Sequence, residues 1–114
     1  MNAVFSKLPD LAAEELMAAY EKYGPFASTH EGYAVILEEV EEATTELNVL
    51  KAELQSMWYE IRHDAIACAC DSARKVENRA IRLAAEAIQV AAMAAKFQSL
   101  GDDEAKEGMR FERM

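Results

Sequence analysis

Residues 33–100 contain neither glycine nor proline, 68 consecutive positions in a chain of 114. These two residue types most often end helices and shape turns, so their absence over such a length predicts long helices and excludes most sheet architectures. The punctuation sits elsewhere: Pro9, Gly24, Pro25 and Gly32 in the first third, Gly101 and Gly108 at the end. Between the early breakers, Asp10–Tyr23 places Leu11, Met17 and Tyr20 among strong helix formers and stops at Gly24-Pro25, which predicts a first helix. Ser28-Thr29-His30-Glu31 then reads as a capping box. The Ser28 hydroxyl can accept from the Glu31 amide while the Glu31 side chain reaches back, and a second helix starts there.

Within the uninterrupted stretch, apolar residues recur in alternating steps of three and four. Tyr33, Ile36, Val40, Ala43, Leu47, Leu50, Leu54, Met57 and Ile61 form one coiled-coil-like seam. A second runs through Ile66, Ala69, Ala73, Val76, Ala80, Leu83, Ala87, Val90, Ala94 and Phe97. Arg62-His63-Asp64-Ala65 lies between the seams, with Asp64 as the expected N-cap of the third helix, so the two helices are predicted to fold back as an antiparallel hairpin. A single continuous rod is the alternative; it would leave both seams uncovered. Eight alanines among residues 80–95 let backbones approach closely. The expected fold is all-α: a long antiparallel hairpin plus an N-terminal helix, one domain over residues 1–100, with 101–114 a tail or short helix. Two helices cannot also bury Val35, Leu37, Val49, Ile81 and Ile88, so a bundle completed as a homodimer or homotetramer is expected.

Composition narrows the function classes. A chain that is 52% hydrophobic and 29% charged is too apolar for a disordered tail and too often charged for a membrane span. The net charge of −9 argues against binding nucleic acid or an anionic membrane by bare electrostatics. Cys68 and Cys70 are two apart on a predicted helix, face different sides and suit small packing roles; together with the lack of a signal-like N-terminus this fits a reducing, cytoplasmic setting.

The chemistry-bearing feature is a set of carboxylates. With Val40, Leu47 and Leu54 taken as heptad a positions, Glu39 and Glu46 are g and Glu42 is c, one stripe along a single flank. With Ala80, Ala87 and Ala94 as a positions of the next helix, Glu86 is g and Gln89 is c. In an antiparallel hairpin these flanks face one another, and a turn near residues 63–64 sets Glu39 and Glu42 within a turn of Glu86 and Gln89. Three like charges and an amide at one level suit a hard divalent cation with oxygen ligands, Mg²⁺ or Mn²⁺; a solvated helix face is the alternative reading of the same glutamates.

Glu38-Glu39-Val40-Glu41-Glu42 resembles the EExxE signature of the MazG-like all-α nucleoside triphosphate pyrophosphohydrolases, and Glu86-Ala87-Ile88-Gln89 is similar to their second element, ExxD, with Gln in place of Asp. The resemblance covers roughly residues 28–98. It implies Mg²⁺ held through Glu39, Glu42, Glu86 and Gln89, Glu38 as an outer ligand or water-orienting base, a (deoxy)nucleoside triphosphate as substrate, and release of pyrophosphate and the monophosphate. Gln89 lacks the family's charge, and the interval from Glu42 to Glu86 is longer than the family's, which a longer hairpin accommodates. The alternative is a non-catalytic helical interaction or nucleotide-sequestering protein, of the kind phages encode. On the same stripe, Arg82 and Lys96 are candidates to meet substrate phosphates, and His30 to sit at the site mouth; Arg79 and Arg82 are also level with Glu42 and Glu46, where interhelix salt bridges are expected. Trp58 is expected in the core or at a dimer contact, and His63 at the surface or capping a helix.

Overall fold

The computed structural model describes the backbone of residues 2–112 and the side chains of residues 3–102. Among them there is no strand. The elements are α1 (Asn2–Phe5), α2 (Leu8–Tyr23), α3 (Thr29–Arg62) and α4 (Ile66–Glu112). The expected all-α architecture holds: α3 and α4 are the two long helices, packed against each other and joined by a three-residue turn, with α2 preceding them.

The ends of these helices follow from local chemistry. α2 begins two residues before Asp10, with Pro9 in its first turn, where the missing amide hydrogen costs nothing. It ends at Gly24, whose φ of 67° lies in the left-handed region that glycine enters without penalty. The capping box forms, since the Glu31 amide donates to Ser28 Oγ at 3.1 Å. The return bond lands one residue earlier than expected, from the Ala27 amide to Glu31 Oε2 at 3.4 Å. At the hairpin tip Asp64 is not the N-cap of α4. It sits at φ 54° two residues past the end of α3, with the Ala65 amide donating to the Glu60 carbonyl and the Asp64 amide to the Ile61 carbonyl. That is a Schellman closure of α3, with aspartate in the place usually taken by glycine. His63 assists it, its Nδ1 2.8 Å from the Tyr59 carbonyl. Gly101 does not end α4, which continues to Glu112, so the segment expected to be a tail or short helix prolongs the long one; residues 113–114 lie outside the described residues.

The chain divides into two compact units, and the division falls inside both long helices. The first comprises Met1–Glu39 and Ile88–Met114. Its core is Phe26, Ala92 and Met93, with Leu16, Ala19, Val35, Ile36, Phe97 and Leu100 packed around it. The buried Gly32 allows Phe97 and Phe26 to approach the α3 backbone; a Cβ there would lie 2.6 Å from the Phe97 ring. Ser99 Oγ donates to the Lys96 carbonyl at 2.7 Å, so Tyr20, 2.6 Å away, is the donor in its own bond to Ser99, tying α2 to α4.

The second unit, Val40–Ala87, is the hairpin tip. Here the interhelix contact is rotated from the apolar seam. Val40, Leu47, Leu54 and Ile61, expected inside, are exposed, Leu54 by 51%. The half-buried positions of α3 are instead Ala43, Glu46, Val49, Leu50, Glu53, Met57 and Glu60. Those of α4 are Ala73, Val76, Arg79, Leu83 and Glu86, and Ala69 and Ser72 are buried. Apart from Val49 at c and Ala73 at a, both sets keep the three-four spacing but use heptad positions d and g rather than a and d, a turn of ~50° about each helix axis. The polar partners account for it. Ser72 Oγ meets both Glu60 carboxylate oxygens at 2.9 Å, and Arg79 donates to Glu46 Oε2 at 3.2 Å, so the glutamates are satisfied across the interface. Large apolar residues at d on α4, Val76 and Leu83, fill the rest.

Several other expectations change with this rotation. Trp58 is 59% exposed and is not a core residue. Cys68 and Cys70 are exposed rather than packed. Of the surplus apolar residues, Val35, Val49 and Ile88 are half-buried, whereas Leu37 and Ile81 are exposed. No described helix is long and apolar enough to cross a membrane.

Candidate metal centre and cavity

The carboxylates predicted to converge do so. Glu42 on α3 and Glu86 on α4 belong to the same unit, and Glu39 lies one turn before Glu42 on the unbroken α3. Each of the three offers a carboxylate oxygen, and these oxygens lie within 4.8 Å of one another. Glu39 and Glu86 are half-buried and Glu42 is exposed, so the group has a sheltered side and an open one. Its placement follows from the rotated interface, because Glu39 and Glu86 occupy the same g stripe as Glu46, Glu60, Ser72 and Arg79. One heptad nearer the turn, a g-position glutamate meets Arg79; at this level α4 presents Glu86 instead, and acid meets acid. Glu86 Oε2 is buried and has no hydrogen-bond partner among the described residues. A buried carboxylate oxygen without a donor is costly unless a cation takes its lone pairs, and a hard divalent ion with three carboxylate ligands would do so. The donor set, all oxygen with an open side for water or substrate, fits Mg²⁺ or Mn²⁺ better than zinc.

Glu39 also lines a cavity of about 340 Å³ in the first unit. Tyr23, Phe26, Val35 and Met93 supply aromatic and aliphatic walls; Glu31, Glu38, Gln89 and Lys96 supply polar groups. Lys96 is 3% exposed, its Nζ 4.3 Å from the centre of the Phe26 ring and 5.7 Å from that of Tyr20, so an ammonium is held inside the cavity wall by two aromatic faces. Glu38, the expected base, is exposed and lines the same cavity one residue before Glu39.

Gln89 plays a different part from the one expected. Its Nε2 donates to Glu15 Oε2 on α2 at 2.6 Å, and the residue forms cavity wall. An aspartate at this position would face Glu15 as a like charge; the amide turns that encounter into a hydrogen bond. Arg82 and His30, the other candidate substrate contacts, are exposed and do not line the cavity. Arg79 is committed to Glu46, as the salt-bridge expectation has it. Sequence reasoning misses Glu15, Tyr23 and Phe26. The first is an ordinary helical glutamate; the two aromatics flank the Gly24-Pro25 break, where their spacing follows no helical period.

Comparison with protein-family models, with curated proteins and with solved structures found no match to this chain.

Proposed function

We propose that the chain is a Mg²⁺- or Mn²⁺-dependent nucleotide pyrophosphohydrolase, a divergent member of the MazG-like all-α group. The observation that carries this reading is the convergence of Glu39, Glu42 and Glu86 from two helices, with one Glu86 oxygen buried and without a donor, together with the part Glu39 takes in lining a cavity of nucleotide size. In this reading Tyr23, Phe26, Val35 and Met93 hold the base or sugar against apolar and aromatic surface. Lys96 binds a phosphate from inside the wall. Glu39, Glu42 and Glu86 would hold the cation, which would neutralise phosphate charge and favour attack by water. Glu38 accepts the proton of the attacking water. The water oxygen bonds to the α-phosphorus, the bond from that phosphorus to the α–β bridging oxygen breaks, and pyrophosphate leaves with the electron pair, leaving the monophosphate.

Incubation with a panel of ribo- and deoxyribonucleoside triphosphates and Mg²⁺, with chromatography of nucleotides and assay of pyrophosphate, tests the reading. The expected result is monophosphate and pyrophosphate in equal amounts, at least a hundredfold less with Glu42→Gln or Glu86→Gln, and normal turnover with Glu53→Gln. Absence of turnover at high protein concentration overturns it. If equilibrium dialysis then shows nucleotide bound but intact, the sequestering alternative holds.

A further inference from the structure

The rotation of the hairpin leaves an apolar face uncovered, and its composition indicates what covers it. In the unit Val40–Ala87, the displaced a positions of α3 are Val40, Leu47, Leu54 and Ile61, all exposed, with the exposed Trp58 beside them. The three-residue turn between Arg62 and Ile66 sets which residues of the two helices are level, and the bonds of Glu46 to Arg79 and Glu60 to Ser72 fall on either side of that register. By that register Val40 is level with Ala87, Leu47 with Ala80, Leu54 with Ala73 and Trp58 with Cys70. Flanks of like heptad letter lie on the same side of an antiparallel pair. From Val40 to Trp58 one face of the hairpin therefore carries a ridge of large apolar side chains on α3 and, alongside it, a trough of small ones on α4, while at the tip Ile61 and Ile66 are both large and exposed.

We propose that this face is the interface with a second copy of the chain, the two related by a twofold axis parallel to the helices, so that the α3 ridge of each copy lies in the α4 trough of the other. This operation keeps each residue at its own level, so large meets small from Val40 to Trp58. A twofold axis across the helices would instead stack ridge on ridge and trough on trough, leaving gaps. Charge supports the same choice. Among the a and e positions of the unit only Lys51 and Glu77 are charged; both are exposed, and the register makes them level. The proposed axis brings Lys51 of each copy onto Glu77 of the other, two opposite-charge pairs related by symmetry. An apolar cavity of about 300 Å³ at the tip, lined by Met57, Ile61, Ile66 and Cys70 among others, lies on the same face and offers a hole for a partner side chain.

The test is charge reversal in trans. Wild type is expected to be a dimer, or a multiple of dimers, by light scattering at micromolar concentration, with Trp58, the only tryptophan, emitting to the blue of its diluted form. Lys51→Glu and Glu77→Lys each set like charges across the interface and should weaken self-association about tenfold or more. Mixing these two variants restores opposite charges at both contacts of the mixed dimer, so differently tagged copies should co-elute as a heterodimer at concentrations where neither variant pairs with itself. Circular dichroism of the single variants should show unchanged helicity, because both positions are exposed. A wild type that is monomeric across micromolar concentrations overturns the proposal and leaves the face to a different protein. Single variants that pair as tightly as wild type, or a mixture no tighter than its components, overturn it equally.

Discussion

The sharpest consequence of the carboxylate group is a linkage between divalent cations and stability. Two unit charges at 4.8 Å, the distance within which these oxygens lie, repel by ~3.5 kcal/mol at an effective dielectric constant of 20 and by ~0.9 kcal/mol in bulk water. Glu42 is exposed, so the lower figure governs it. Glu42→Gln removes one of the three charges at nearly constant volume, and the metal-free variant should be as stable as wild type or more stable by about 1 kcal/mol. A cation at ten times its dissociation constant stabilises wild type by ~1.4 kcal/mol through mass action. For a domain of this size that corresponds to about 5 °C in Tm. Thermal unfolding monitored by circular dichroism, titrated with MgCl₂ or MnCl₂ against NaCl at matched ionic strength, should show that increment in wild type and lose it in Glu42→Gln and Glu86→Gln. Glu53→Gln, on the same g stripe but two heptads from Glu39, should keep it. No effect of the cation on wild type, or identical responses from Glu53→Gln and Glu42→Gln, would make the group an ordinary solvated face and refute the reasoning.

Lys96→Met should raise KM for nucleotide at least tenfold with Tm unchanged or higher, because it exchanges a buried ammonium for an apolar group against Phe26 and Tyr20; steady-state kinetics beside a melting curve check both parts. Gly32→Ala gains ~0.8 kcal/mol of helix propensity but drives a methyl to 2.6 Å from the Phe97 ring, where overpacking costs ~1–3 kcal/mol, so urea unfolding should show a net loss of about 1 kcal/mol. Asp64 holds a left-handed φ of 54°, so Asp64→Gly should be at least as stable as wild type while Asp64→Ala loses about 1 kcal/mol, an order that chemical denaturation of the three proteins resolves.

How far the sequence determines this structure differs from element to element. The helices are legible because their signals are local: Gly24-Pro25 ends α2, the Ser28–Glu31 box starts α3, and neither glycine nor proline interrupts residues 33–100. Asp64 falls in the expected turn but in a different role, since aspartate serves both as an N-cap and as a tolerated left-handed residue, and only the backbone distinguishes them. The apolar seam departs from expectation for a physical reason. Hydrophobic periodicity identifies a stripe that wants burial but not which neighbour buries it. In this hairpin the matched polar pairs Glu46–Arg79 and Glu60–Ser72 take the intramolecular contact, and the ridge of Val40, Leu47 and Leu54 stays outside.

That departure bears directly on the site. Flanks beside an a/d seam predict the convergence of Glu39, Glu42 and Glu86, whereas in the structure Glu39 and Glu86 are themselves interface residues of the g stripe. The convergence holds all the same, because a rotation of both helices in the same sense brings the g flanks closer and leaves their axial level unchanged. The same rotation half-buries Glu39 and Glu86 and strips Glu86 Oε2 of solvent, which separates this group from the exposed glutamates elsewhere on α3. The cavity walls cannot be read in this way, because Tyr23, Phe26 and Gln89 come together through the α2 connection and the Glu15 hydrogen bond, neither of which obeys a helical repeat. One register thus has two consequences: polar pairing along g gathers the acids toward one side of the hairpin, and it turns the apolar ridge outward on the other, where a second chain can lie without covering the carboxylates.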